Sequence, residues 1–470
     1  MNRVIVSNAK PRPNWHHDAI AGASMATTLR DGRGVRDLLA VMIDRHRDGG
    51  SQWTTDDDEA AVVLAHFAFA ATRRDGTAAF GDRLSDEIAR NVGIRHDPAN
   101  TDPFGADGLL ALATRFDPEP LDAALGRLRN PKACRKLVDE IDLPETMLWD
   151  EPAGKFILSP RWGGRRGRVE VDTADVQMRM FVGAGVEPVV DGIIQTDIKT
   201  RCGGDTQTHQ PVGEWEVLCS YTDDEVHYGE WQQNWSGDLW LQRQVMVIRE
   251  DSAVMIADTV TLPPKMDFAA GTEVTHTLRL PRRRRGDHDD PATADESATD
   301  DPATDNSATD DESSSSLDAP GLTVVADPDV REYAFLRGDR PDALMLPLAA
   351  PEWREFASNT TVQTDERSVR VTTRSAGRIF MPLWFDLRRR RMGRVRTWRR
   401  LTVMEQLDPV RPDHAAAFRV QFGMSQWMIY RSLVPGRLRS VLGRHMAHDF
   451  LATRFDSADG IHEELVTVEE

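Results

Sequence analysis

The stretch from Glu214 to Val260 constrains the fold of this chain more than any other. Trp215, Val217, Cys219 and Tyr221 alternate with Glu216, Leu218 and Ser220, the period of two that belongs to a strand. A second run places Leu239, Leu241, Val245 and Val247 on one side and Trp240, Gln242, Gln244 and Met246 on the other. The turn Glu250-Asp251-Ser252 leads into a third run, Val254-Met255-Ile256-Ala257. The pattern predicts an antiparallel meander with both faces partly covered.

The flanks differ in texture. Before Asp142 the apolar residues recur at helical spacing: Val35, Leu38, Leu39, Met42 and Ile43, then Val62, Val63, Phe67 and Ala71, then Phe80, Leu84, Ile88 and Val92. Shorter helices are expected at 106–115, 120–129 and 132–141, punctuated by prolines. From about Trp149 onward, short alternating runs are separated by Gly and Pro, which predicts strands. The expected fold is α+β: an N-terminal helical region over 1–148, then a large antiparallel β-sandwich of two stacked sheets over 149–470. A C-terminal helix is expected from Leu438, Val441, Leu442, Met446 and Phe450, which fall near helical spacing. Residues 287–318 interrupt the strands. They carry 12 acidic residues, no Lys or Arg, and the near-repeat DDPATADESAT/DDPATDNSAT. Such a segment buries too little apolar surface to offset its ordering entropy, so a disordered loop is expected there.

Composition narrows the classes. No apolar run approaches 18 residues, which argues against a membrane-spanning helix. The start, MNRVIVSNAKPRPNW, lacks the apolar core of a signal peptide, so a cytoplasmic location is expected; a misassigned start would leave export open. Three cysteines, Cys134, Cys202 and Cys219, do not make a disulfide scaffold and read as buried thiols. The net charge of -18 falls to about -6 once the acidic segment is set aside. No cofactor and no metal are expected. The pairs Gly163-Gly164 and Gly203-Gly204 lack the ending of a phosphate loop, and no cluster has the spacing of a metal site.

Within the meander, WLQRQVMVIREDSAVMIADTV places Arg243 on a strand, Glu250-Asp251 in a turn and Asp258 at the end of the next strand. This pattern, with helices preceding a large sandwich, resembles the heparinase II/III family of polysaccharide lyases. The resemblance implies a sandwich of supersandwich type, an acidic polysaccharide as ligand, and β-elimination beside a uronate. That reaction needs a base and preorganised donors for the developing enolate charge. The nearest counterpart of the family's His-x-His-x-Asp motif is TQTHQPVGEWEV, which supplies His209.

The candidate catalytic residues are therefore His209, Tyr228 and His227. Trp231 and Trp235 are candidate sugar-stacking platforms, and Arg243 a candidate substrate contact. Each has a plain structural alternative: a hydrogen-bonded loop histidine, or aromatics packed on a sheet. Eight arginines fall between Arg388 and Arg400. Of these, Arg388, Arg389, Arg390 and Arg391 are candidate substrate-binding residues, because guanidinium forks suit carboxylate and sulfate. The mildly acidic remainder of the chain and the lack of a recognised motif argue against nucleic acid. The two competing functions are a protein that binds, and on one reading cleaves, an acidic polysaccharide, and a non-catalytic structural, interaction or polyanion-binding module.

Overall fold

The computed structural model describes residues 4–5, 35–47, 53–81, 108–129, 143–162, 164, 166–185, 187–202, 204–263, 273–281, 322–434, 436–456 and 462–469. The segment 287–318, the predicted helix at 132–141 and most of the one through Val92 lie outside them.

The meander forms the middle of an eight-stranded antiparallel sheet. Its strands are β1 (Pro211–Thr222), β2 (Val226–Trp235), β3 (Leu239–Ile248), β4 (Ala253–Thr261), β5 (Leu322–Ala326), β6 (Tyr333–Arg337), β7 (Arg340–Pro347) and β8 (Ile379–Asp386). The spatial order is β5-β6-β7-β8-β4-β3-β2-β1. Both faces are covered, and the alternation in the sequence sorts residues between two cores. Val245, Val247, Val254 and Ile256 enter one core. Met246, Ile248, Met255 and Ala257 enter the other. Each of these valine, isoleucine and methionine side chains contributes about 1.5–3 kcal/mol when fully buried. A shift of one residue in the pairing would exchange the two sets.

The first core is closed by two five-stranded sheets, one over 147–193 and one containing Gln195–Cys202, Asp205–His209, Glu273–Pro281, Thr360–Thr364 and Ser368–Ser375. The second is closed by a six-stranded sheet that includes Arg396–Leu401, Ala415–Phe422, Ser425–Ser432 and Phe450–Asp456. A small four-stranded sheet packs beyond that one. The chain is thus mainly β, with several antiparallel sheets, rather than the two sheets expected from strand count.

The helices form a layer on the first five-stranded sheet. They are α1 (Val35–Arg47), α2 (Thr55–Ala71), α3 (Leu109–Ala113) and α4 (Pro118–Arg129). Their apolar faces meet Leu148 and Ile157 of that sheet. A capping box starts α2: the Thr54 hydroxyl accepts from the Asp57 N–H, and the Asp57 carboxylate accepts from the Thr54 N–H, satisfying two donors that a helix start leaves unpaired. Among the described residues no helix is long and apolar enough to cross a membrane.

The expected C-terminal helix is not formed. Residues 439–456 make strands Arg439–Val441, Arg444–Met446 and Phe450–Asp456. The apolar spacing was misleading because Leu438 and Leu442 face solvent, 74% and 63% exposed, while Val441, Met446 and Phe450 are buried. Leu442 and Gly443, at φ 51° and 79°, make the tight turn that ends any helix there. Cys219 is buried as expected, but Cys202 is exposed; Cys134 lies outside the described residues.

Candidate functional site

His227 and Tyr228 are neighbours on β2, so their side chains point to opposite faces of the central sheet. His227 is fully buried on the first face. Its Nε2 lies 2.9 Å from the Ser159 carbonyl and its Nδ1 2.6 Å from the Thr222 hydroxyl. Burial, reinforced by Arg249, lowers its pKa to about 3, so the ring is neutral. Tyr228 is buried on the second face. Its hydroxyl donates to Glu230 at 2.9 Å and accepts from Gln244 at 2.7 Å. Burial and then the Glu230 charge push its pKa well above the usual phenol value, which holds the proton on.

His209 stands at the far end of β2. It lies 2.8 Å from the Thr200 hydroxyl and 2.6 Å from the Ser236 carbonyl. From His227 to Ser236 the strand runs roughly 30 Å, at about 3.3 Å per residue. The structure therefore brings none of the three candidate bases together.

The candidate platforms are interior. Trp231 is fully buried and stacks on Trp149 with ring centres 5.4 Å apart. Gly229 makes that contact possible, since a Cβ there would fall 2.5 Å from the Trp231 ring. Trp235 is also buried. Arg243 is buried in a closed ion pair, with Nε and Nη2 at 2.7 and 2.8 Å from the two Asp258 oxygens. His276 approaches Asp258 at 3.0 Å. Burial would raise the Asp258 pKa, but Arg243 and His276 outweigh it and lower it.

Three of the four arginines at 388–391 pair with acids of the fold. Arg388 lies 3.3 Å from Asp251, Arg389 2.6 Å from Asp342, and Arg391 2.7 Å from Asp251 and 2.9 Å from Asp386. Arg390 is exposed.

A cavity of about 290 Å³ opens at the junction of the helical layer and the first five-stranded sheet. The turn after α2 brings Arg73 and Arg74, the loop after Lys155–Leu158 brings Arg161 and Trp162, and the next two strands bring Arg168 and Phe181. Glu170 anchors the wall. It accepts from Arg73 at 2.9 and 2.6 Å and from Arg168 at 2.7 Å. Burial acts to raise the Glu170 pKa, but Arg168 and Arg73 prevail and hold it low. Arg73 also covers the Phe181 ring at 4.0 Å. Asp75, Glu187 and Asp191 share the rim. Asp75 accepts from the Thr77 N–H and hydroxyl, and Glu187 from the Leu322 N–H. Arg161 and Arg168 belong to a glycine-rich basic group that is visible in the sequence. Arg73 and Arg74 were missed; the only signal is an arginine pair that follows an apolar helix and precedes Asp75-Gly76.

No family model matches the chain, and no curated protein matches it. Solved structures do. Heparan sulfate lyase HepC from Pedobacter heparinus superposes with a TM-score of 0.44 at 9% identity, over 87% of this chain and 61% of that one. A heparinase III gene product gives 0.39 at 7% identity, over 80% and 52%. Another heparinase III structure gives 0.38 at 10% identity, over 89% and 58%. The chain spans between half and two thirds of the length of these proteins, and its structure is distantly similar to theirs.

Proposed function

We propose that this chain binds an acidic polysaccharide at the junction cavity and does not cleave it by a histidine–tyrosine route. The observation that supports binding is that Arg74 and Arg161 stand with Trp162 on one concave surface, while Glu170 takes up the charge of the neighbouring Arg73 and Arg168. Arginine forks suit carboxylate and sulfate groups, and the Trp162 ring suits the apolar face of a sugar. The separation of His209, His227 and Tyr228 supports a role without elimination, because a base must lie within hydrogen-bond reach of the proton it takes. The cavity lining holds no histidine or tyrosine among its described residues.

The test is calorimetric titration of the full chain with uronate-containing and sulfated oligosaccharides, with absorbance monitored for unsaturated product. Binding that weakens roughly tenfold in Arg74→Gln/Arg161→Gln, with no product, supports the reading. Unchanged binding in that variant overturns the location. An unsaturated product that disappears in His209→Ala or Tyr228→Phe restores the lyase reading.

A further inference from the structure

A larger groove of about 840 Å³ lies at a different place, between the edge of the six-stranded sheet and the loops around β7 and β8. Its volume falls in the range typical of ligand sites. One wall is the edge strand Arg396–Leu401, which displays Arg399 and Arg400 to solvent. The facing wall carries Arg374, near the end of strand Ser368–Ser375, and Arg378, from the turn between that strand and β8, and Arg411 closes the end.

Two acids, Asp413 and Glu352, share the lining with five arginines. Asp413 is held by Arg411 through both oxygens, at 3.0 and 2.7 Å. It lies against Gly377, where a Cβ would fall 2.5 Å from its Oδ2. Glu352 accepts from the Thr397 hydroxyl at 2.5 Å. Across the strand pair, Arg399 stands directly opposite Arg419. Like charges in that position destabilise a sheet, so the arrangement does not serve folding.

The second observation is independent of charge. Trp353 and Phe356, 47% and 54% exposed, line the same groove. They are not on a loose loop. The Arg331 guanidinium donates to the carbonyls of Pro351, Trp353, Arg354 and Phe356, at 3.0, 3.2 and 2.6 Å for the first, third and fourth. Arg354 in turn donates to the Asp327 carbonyl at 2.7 Å. One half-buried fork therefore ties down four carbonyls within residues 351–356 so that two large rings stay in water. Exposure of large apolar surface is unfavourable, and a loop fixed to maintain it is preorganised for a partner.

We infer that this groove is a second, separate binding site for a linear acidic polysaccharide, with anionic groups on Arg374, Arg399 and Arg400 and sugar rings against Trp353 and Phe356. It does not depend on the junction cavity. Charge alone would also suit a nucleic acid, but the basic surface is short and shares the groove with two exposed rings, where a long phosphate backbone gains from an extended run of cationic contacts.

The test titrates the full chain with a sulfated octasaccharide and, in parallel, with an oligothymidylate of matched charge. In Arg374→Gln/Arg399→Gln/Arg400→Gln, saccharide affinity at the groove should fall at least roughly tenfold, with a shallower salt dependence. In Trp353→Ala/Phe356→Ala it should fall several-fold with the salt dependence unchanged. These side chains are at the surface, so melting curves should stay close to wild type and report folding for each variant. Arg74→Gln/Arg161→Gln should leave groove binding intact, which separates a failure here from a failure at the junction. Unchanged affinity and stoichiometry in the arginine variant would overturn the inference. So would oligothymidylate binding as tight as the saccharide together with no effect of the aromatic substitutions.

Discussion

The run of eight arginines from Arg388 to Arg400 contains two contrasting groups. Arg388, Arg389 and Arg391 turn toward Asp251, Asp342 and Asp386 of the central sheet. Arg399 and Arg400 turn outward onto a groove. In sequence the two groups are alike, yet the first is tied to carboxylates at the ends of β7 and β8, even though Arg388 and Arg389 remain 45% and 55% exposed, and the second borders a groove beside exposed aromatics. A basic run thus marks a binding surface only where the fold has not supplied its own carboxylates. Position relative to the buried aspartates decides this, rather than charge density.

The inward group should dominate stability. Arg391 is 2% exposed and faces two carboxylates, and its ring contacts include Trp427 at 5.1 Å. Arg391→Ala should cost about 3–5 kcal/mol, because it leaves buried charge unpaired. Urea unfolding measures this, and a loss under about 1 kcal/mol would place Arg391 with the outward group.

Acid titration extends the comparison to a buried histidine, His227. The folded pKa of His227 is lowered from 6.5 to about 3. Its contribution is therefore complete above pH 6.5 and is lost as pH falls toward 3. The slope can reach about 1.4 kcal/mol per pH unit. In His227→Gln the acid limb of the stability–pH curve should be flatter; an identical limb would assign acid unfolding to other groups.

Glu225 gives a smaller effect of opposite sign. Burial first, then its hydrogen bond to Glu463 and their repulsion, raises its pKa to about 7. A raised carboxyl favours the fold at low pH and loses that contribution as pH rises from about 4.5 through 7. Glu225→Gln should remove this decline, read as melting temperature between pH 5 and 8. The smallest effect belongs to the outward arginines. Arg399→Gln/Arg400→Gln should change stability by no more than about 0.5 kcal/mol while weakening retention on an anionic resin. A large destabilisation would show that the groove arginines are structural after all.

The central sheet was legible because β3 and β4 bury opposite residues in opposite cores, which writes a clean period of two into residues 239–260. The tail was not. Apolar residues at 438 and 442 happened to fit a helical stripe, and only their exposure shows that the stripe is not buried. The chemistry of the meander was legible as residue types but not as placement. Adjacent numbers such as 227 and 228 read as a cluster, although a strand sends neighbours to opposite faces. The junction cavity and the arginine groove were the least visible. Each gathers single residues from segments far apart in sequence, and no local motif announces residues such as Arg74 with Arg161, or Trp353 with Arg399.

One feature of the sheet order bears on how the chain could be cut. β4 and β8 are neighbours along Ala253–Val260 and Ile379–Asp386, although the whole stretch from Pro281 to Leu322 lies between them in sequence. A single break in that stretch would leave each fragment with half of the central sheet and an eight-residue ladder to its complement. The two pieces would also share both cores. A nicked chain should therefore remain one particle under native conditions. The same property makes the molecule suitable for fragment complementation, with the two halves expressed separately and reassembled by strand pairing.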